Sequence, residues 1–513
     1  MDQGGLDVAA PVIGGKQVRT TEVLGQISLR KKLWSDASEA TISDTGETGC
    51  DAGRRARKLV DQYTNGDTMK FTRRQFINTT AAAGLALSAP ALLGAQARDK
   101  KYRTALIGSG WWGKVITEMA LKSGTANVVA VCDVDRTMTD EAVKLVAEKA
   151  GNTPKTYGDF RELLALEKPE ICIVATPDHW HPLIAIAAVE AGAHVYVEKP
   201  VGHTILEGRA MVKAARATGR VMQVGTHRRV TPHGLSAYRF VKEGGLGKIG
   251  FVRAFVAGAA GAGQPEPAKL NEEPPPTLDW DMWCGPGPLK PYNQAYHPKK
   301  WRQFLDFANG QIGDWVHWTD QIMWVLGDDK HPKSVSAVGG IFLREPTPQQ
   351  APPNTTVPDA PDALDVHWDF GDCVATWEHH QFAGNEQEKA KIGCYFFGAK
   401  GVLHIGWGEG WTFYPSKKGE KEIHEDPKLN QPGGQNVSEL WADFIEAIQQ
   451  RRRSVCDIEI GHHSTTMSLL GMLSYKLGRS VKWDGVKEEC PGDAEANRLL
   501  RREYRAPWKY PEV

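Results

Sequence analysis

The sequence predicts an α/β protein of two domains, a doubly wound parallel sheet followed by an α+β domain with an open, mostly antiparallel sheet. Three observations carry this. From Lys101 to about Gly225, short apolar runs alternate with helical stretches, the pattern of a parallel sheet covered on both faces. Beyond Gly225, strand-like segments follow one another with few helices between them. The length, 513 residues, suits two to three domains of roughly 100–200 residues each.

In the first domain (98–225), the runs Ala105–Gly108, Val128–Cys132, Ile171–Ala175, Val195–Val197 and Val221–Val224 read as buried parallel strands. Helical stretches Pro182–Ala191 and Ile205–Ala217 stop at Gly192 and Gly219. In the second domain (226–513), Gly250–Val256, Ser334–Phe342, Ala363–Phe370, Val374–His380, Lys391–Phe397 and Val402–Ile405 read as strands. Two segments dense in proline, Ala262–Pro291 and Pro346–Pro361, read as long loops, and helices resume at Val437–Gln450 and Ile460–Leu477.

Lys and Arg number 62, as do Asp and Glu, and 41% of residues are hydrophobic. A charge-neutral chain of this kind is globular and does not hold nucleic acid by neutralising phosphates. The eight cysteines show no C-x-x-C pair and no metal-ligand spacing, so no metal site is expected. Cys132 and Cys172 fall inside apolar strands, where a thiol behaves as a small hydrophobe.

Residues 1–68 lack periodicity and read as disordered, or as an extension upstream of the true start. Residues 69–97 carry Arg73-Arg74, a weakly apolar run Thr79–Leu93 and Ala95-Gln96-Ala97. This combination resembles a twin-arginine export signal, too short to span a bilayer once about 20 apolar residues are required. A periplasmic or exported protein, with no membrane span after cleavage, is the expectation.

Gly108-Ser109-Gly110-Trp111-Trp112-Gly113 follows the first strand and opens a helix. The first two glycines permit a tight turn and close approach of a pyrophosphate, and the third permits helix and strand to pack. Asp133 ends the second strand, where a carboxylate can bind both ribose hydroxyls. This is the dinucleotide-binding pattern of a Rossmann domain. The acid favours NAD, while Arg136 keeps NADP open.

Ligands in such sheets sit outside the carboxyl ends of strands. Two segments lie there, Ala175-Thr176-Pro177-Asp178-His179-Trp180-His181 and Glu198-Lys199-Pro200. A lysine beside a cationic nicotinamide ring is a candidate proton carrier. Further on, Asp314, His317 and Asp320 recur every third residue, which on a continuous helix puts them on one side. A carboxylate-supported His317 is then a candidate general base.

Together, the glycine loop, Glu198-Lys199-Pro200 and His317-Trp318-Thr319-Asp320 resemble the Gfo/Idh/MocA oxidoreductases across residues 101–480. Thr176–His179, Val224–Arg229 and Leu278–Trp283 are similar to the secreted bacterial branch. The resemblance implies hydride transfer between NAD(P) and a carbinol of a sugar, cyclitol or related polyol, with Lys199 and His317 handling the proton. It implies that Thr176, Pro177 and His181 line the nicotinamide side and that Glu198 lies near its ribose. Arg228, with Arg229 and His227, is a candidate for substrate hydroxyls, and the resemblance also implies a homo-oligomer. Family members place an acid four residues before the histidine; here that position is Gly313, so Asp314 and Asp320 share or exchange the role. A second reading is a glycosidase that keeps its NAD and works by transient oxidation, elimination and re-reduction. Family hydrolases depart from the Glu-Lys-Pro motif, which this chain retains.

The chain also holds 17 tryptophans. Trp111 and Trp112 lie in the nucleotide loop and Trp180 in a strand-end loop. Trp180, Trp283, Trp315 and Trp318 are nearest the expected chemistry, where indole faces pack well against sugar rings.

Overall fold

A computed structural model describes residues 100–258, 269–298, 300–382, 390, 392–429 and 435–512. The expected N-terminal extension (1–68) and export signal (69–97) lie outside the described residues.

The first layer system is built from β1 (Tyr102–Ile107), α1 (Trp111–Lys122), β2 (Ala126–Cys132), α2 (Arg136–Ala150), β3 (Lys155–Tyr157), α3 (Phe160–Glu167), β4 (Ile171–Val174), α4 (His181–Glu190), β5 (His194–Val197), α5 (Ile205–Thr218) and β6 (Met222–Val224). Its six strands run parallel in the order β3-β2-β1-β4-β5-β6. All four residues of β4 are buried, and so are the last three of β5, as strands covered on both faces require. The five strands read from sequence are present. The sixth, β3, carries no apolar run, since its three residues are exposed or half-buried. α5 starts with a capping box between Thr204 and Glu207 and ends at Gly219, which adopts φ 63°.

The chain reverses direction of winding between β1 and β4, where a doubly wound sheet opens its crevice. The Gly108 N–H bonds the Cys132 carbonyl at 2.9 Å and the Ala175 N–H bonds the Ile107 carbonyl at 2.9 Å. The two strand-end loops are thereby held side by side above the sheet.

The second layer system continues with α6 (Pro232–Lys242), β7 (Ile249–Ala257), β8 (Lys269–Leu270), α7 (Trp280–Cys284), α8 (Gly310–Asp314), α9 (Val316–Leu326), β9 (Ser334–Gly340), β10 (Thr355–Thr356), β11 (Ala363–Asp369), β12 (Val374–His380), β13 (Ile392–Gly398), β14 (Gly401–Gly406), β15 (Trp411–Pro415), β16 (Ile423–Glu425), α10 (Val437–Gln450), α11 (Ile458–Leu477), β17 (Val481–Lys482) and α12 (Ala494–Arg498). Nine strands form one sheet, β16-β15-β14-β13-β7-β12-β11-β9-β17, antiparallel except between β7 and β12. Along β11, Leu364, Val366 and Trp368 are buried while Asp365, His367 and Asp369 are exposed. The buried face packs on α9 and α11: the Trp368 indole donates to the Met467 carbonyl and the Cys394 thiol to the Trp318 carbonyl. The other face is open and carries half-exposed Phe251, Phe397 and Tyr414.

Two parts of the second domain return to the first. In α10, Trp441 and Phe444 pack against Tyr196 of β5, and Val224 of β6 bonds the Cys456 carbonyl. The Pro-rich stretch before α7 crosses the end of β2, with Arg136 and Asp279 N–H groups bonded to Thr277 and Val134 carbonyls. The seven described cysteines are free and buried. Among the described residues no helix is long and apolar enough to cross a membrane.

Candidate active site

A cleft of about 880 Å³ opens at the carboxyl ends of β1, β4 and β5, lined by residues of both layer systems. Its floor is the glycine turn. Gly108 has φ 88°, and a Cβ there would sit 2.6 Å from the Ala175 carbonyl carbon and the Thr176 nitrogen. A Cβ on Gly113 would lie 2.1 Å from the Gly108 oxygen, so the third glycine is what brings α1 onto β1. A Cβ on Gly110 would meet nothing within 4 Å; the turn leaves open space at that point of the cleft.

Asp133 lines the cleft at the tip of β2 and accepts hydrogen bonds from the Ser109 N–H (2.7 Å) and Asp135 N–H (3.0 Å). Burial raises its carboxyl, and these two N–H donors oppose the shift. Thr176 Oγ1 and Glu198 Oε1 are buried without a hydrogen-bond partner among the described residues, and both residues line the cleft with Pro177. An open glycine turn, an acid at the tip of β2 in the same cleft and buried polar atoms at the strand ends fit a nicotinamide dinucleotide. Of the predicted nucleotide contacts, His181 stands apart. Its ring is buried off the cleft, with Nδ1 2.7 Å from the Pro200 carbonyl and Nε2 2.8 Å from the Thr176 carbonyl. Burial holds it neutral, down to about 4, and it ties the two loops together from beneath.

At the other end of the cleft, the Lys199 ammonium donates to the Asp314 carbonyl at 2.5 Å and to Asp314 Oδ1 at 3.0 Å. Arg302 Nε donates to the same oxygen at 2.9 Å. Burial works against the Asp314 carboxylate, yet Lys199 and Arg302 outweigh it and hold the carboxyl below its ordinary value. Lys199 is joined to Pro200 by a cis peptide bond.

His317 lines the same cleft as this pair. Its ring packs edge-on to His227 at 4.6 Å and to Trp407 at 5.5 Å, and its Nδ1 is buried without a partner. Burial, then His227 and after it the charges of Lys199 and Arg228, push its pKa well below the usual value, so the imidazole is neutral.

The expected carboxylate support for His317 is absent among the described residues. The helix is not continuous: it breaks at Trp315 (φ −98°, ψ 31°) between α8 and α9, which turns Asp314 toward Lys199. Asp320 points into the interior, where both its oxygens accept from Arg229 Nε at 2.9 Å and Oδ1 accepts from the Ser464 hydroxyl at 2.8 Å. It belongs to a buried ion pair that joins α9 to the loop after β6. Arg228 also lies off the cleft, its guanidinium 3.3 Å from the Trp407 ring centre and one N–H on the Trp407 carbonyl. Burial lowers Arg228 to about 9.

Trp283 and Trp315 do line the cleft, although Trp283 is buried and stacked on Trp280 at 4.7 Å. Trp112 lines it next to His227, and Trp111 stands 61% exposed at its mouth. Trp180 also lines it while packing in the core of the first domain, and Trp318 belongs to the core of the second. Sequence reasoning missed Arg302, Trp407 and Asp178, all of which line the cleft. Asp178 sits inside a motif singled out for its neighbours, whereas Arg302 and Trp407 lie in connections that carry no local signal.

A doubly wound domain with its glycine turn, facing a sheet domain that brings a histidine to a strand-end lysine, defines a dinucleotide-dependent oxidoreductase. Residues 102–226 match the profile described as oxidoreductase family, NAD-binding Rossmann fold, and residues 263–340 and 425–510 match that family's C-terminal alpha/beta domain. The chain belongs to the Gfo/Idh/MocA oxidoreductase family. Curated relatives include a glycosyl hydrolase family 109 protein of Stenotrophomonas maltophilia, 34% identical over 36% of this chain and 41% of the relative. A levoglucosan dehydrogenase of Pseudarthrobacter phenanthrenivorans is 34% identical over 29% of this chain and 39% of the relative. The matches thus span well under half the length of these relatives. Among solved structures, levoglucosan dehydrogenase with NADH and levoglucosan superposes with TM-score 0.57 at 21% identity, covering 75% of this chain and 99% of that one. Aldose-aldose oxidoreductase from Caulobacter crescentus gives TM-score 0.55 at 18% identity, covering 75% and 100%. These structures share the fold.

Proposed function

We propose that the protein transfers hydride between NAD and a carbinol of a sugar, cyclitol or related polyol. The observation that carries this is that the Lys199 ammonium, fixed by Asp314, and neutral His317 line the same cleft as the nucleotide turn. NAD, when bound, accepts or returns the hydride. The chain supplies the proton handling. The neutral imidazole of His317 accepts a hydrogen bond from the substrate hydroxyl, while the Lys199 ammonium donates to the same oxygen. In the oxidising direction the hydroxyl proton passes to the His317 imidazole as hydride leaves the carbon; in the reducing direction the His317 imidazolium returns it, and the Lys199 ammonium polarises the oxygen both ways. Asp314 and Arg302 hold Lys199 in place, and Trp315 and Trp407 present flat apolar faces beside it. Homo-oligomerisation through the open sheet face and export by the twin-arginine segment belong to the same proposal.

The second reading, an NAD-retaining glycosidase, is favoured by the match to the family 109 hydrolase. One preparation separates the two. Purified protein is tested for co-purifying nucleotide, then followed at the absorbance of reduced nicotinamide with a panel of sugars and glycosides. Net reduction supports the dehydrogenase, and glycoside cleavage without net reduction supports the hydrolase. Absence of both nucleotide and turnover would overturn both readings. Lys199→Ala is expected to retain nucleotide and lose turnover.

A further inference from the structure

Trp111 has no part in the hydride and proton chemistry, yet it lines the same cleft. It is the first residue of α1 and stands 61% exposed, an expensive placement for the largest apolar side chain. Its ring is not isolated. Trp112 lies 5.1 Å from it, His227 6.2 Å from Trp112, and His317 4.6 Å from His227. Trp407 closes the inner end, 5.9 Å from His227 and 5.3 Å from Trp315. A series of aromatic rings in tilted and edge-on contact therefore runs from His317 to the exposed Trp111. Lys114 and Glu141, which share this outer wall, form an ion pair with each other, so the wall offers apolar faces to an uncharged ligand.

A single sugar ring placed at Lys199 and His317 reaches Trp315 and Trp407, but Trp111 is three ring-to-ring steps further out. We infer that Trp111 forms an outer subsite that stacks on a second ring, joined through a glycosidic oxygen to the ring that reacts at Lys199 and His317. The preferred substrate is then a glycoside, with the second ring a sugar or an aryl group, rather than a free monosaccharide. This rests on the sugar reading of the cleft.

The test measures binding, so it does not depend on which reaction follows. NAD-loaded protein is titrated with matched methyl and p-nitrophenyl glycosides of common hexoses, and NADH affinity is measured separately. Wild type is expected to bind the aryl member of the pair roughly tenfold more tightly, the scale of one aromatic stack. In Trp111→Ala that ratio falls to near one, and in Trp111→Phe most of it returns. Equal binding of both members by wild type, or an unchanged ratio in Trp111→Ala, overturns the subsite while leaving the sugar reading standing. A loss of NADH affinity matching the loss for both glycosides assigns Trp111 to the nucleotide and also overturns it. Binding of neither member by wild type overturns the sugar reading along with the subsite.

Discussion

Lys199 and Asp314 meet across the cleft although they lie 115 residues apart in sequence, the ammonium bonding both the backbone carbonyl and the carboxylate of Asp314. One partner ends a strand of the nucleotide domain and the other ends a helix of the second domain. The position of this ammonium is therefore fixed only when the two are packed together. Side-chain exposures of 14% and 12% keep water from competing for the pair.

Asp314→Asn keeps the shape of this contact and the backbone acceptor but removes the charge. The ammonium then keeps a weaker anchor and wanders from the substrate oxygen. We expect kcat to fall by about 10²-fold, within the range of misplaced acid–base groups, while NADH binding changes little. Steady-state kinetics beside a nucleotide titration decides it; unchanged kcat would remove Asp314 from the site.

Asp320 gives the contrasting outcome. Arg229 is 1% exposed and relies on Asp320, with Asp328 as second partner, and these carboxylates hold its pKa above the ordinary value. Asp320→Ala strands a buried guanidinium, which costs about 3–5 kcal/mol when the main partner is removed. Urea unfolding should show the midpoint shift. A variant of normal stability with abolished turnover would return Asp320 to the catalytic set.

The Asp314–Asp320 contrast also marks where sequence legibility ends. Parallel strands buried on both faces leave unbroken apolar runs, and a glycine turn between strand and helix leaves its own spacing, so the nucleotide half was readable. The short strands β3, β15, β16 and β17 were not, because two to five residues at or near a sheet edge carry too little pattern. Three-residue spacing placed Asp314, His317 and Asp320 on one helix face, a reading valid only without the break at Trp315. α10 displays an apolar stripe in sequence, but nothing in the stripe tells which sheet it covers. Lys199, His317, Asp133, Gly108 and Gly110, which line the cleft, each sit in a sequence motif. Arg302 and Trp407 come to the site through long-range packing alone.

Two glycines of the turn should fail differently when a methyl group is added. Gly113→Ala drives Cβ to 2.1 Å from the Gly108 carbonyl oxygen, so helix and strand must separate. It is expected to lower Tm and to lose nucleotide together. Gly110→Ala meets no protein atom within 4 Å, so the fold should be untouched. Its methyl enters the space a pyrophosphate would use, and NADH affinity should fall by about tenfold, on the order of one lost close contact. Thermal melts with and without NADH separate the two; equal melting losses would refute the assignment of Gly110 to the phosphates.

Asp178 predicts a pH dependence of stability. It is 3% exposed and lines the cleft. Burial raises its carboxyl to about 8; Arg302 and Lys199 oppose the rise and Asp314 reinforces it. The unfolded chain releases this proton near the ordinary value, about 3.9. The folded chain keeps it until about 8. Between these values the folded state binds more protons than the unfolded state, so raising the pH favours unfolding through this group. Its share of stability is full below the lower value and gone above the upper one. Asp178→Asn, which cannot ionise, should melt progressively higher relative to wild type as the pH is raised across that window, with the gap levelling off beyond it. Parallel melting curves for the two proteins across the window would show that Asp178 ionises normally in the folded state and has no raised pKa to lose.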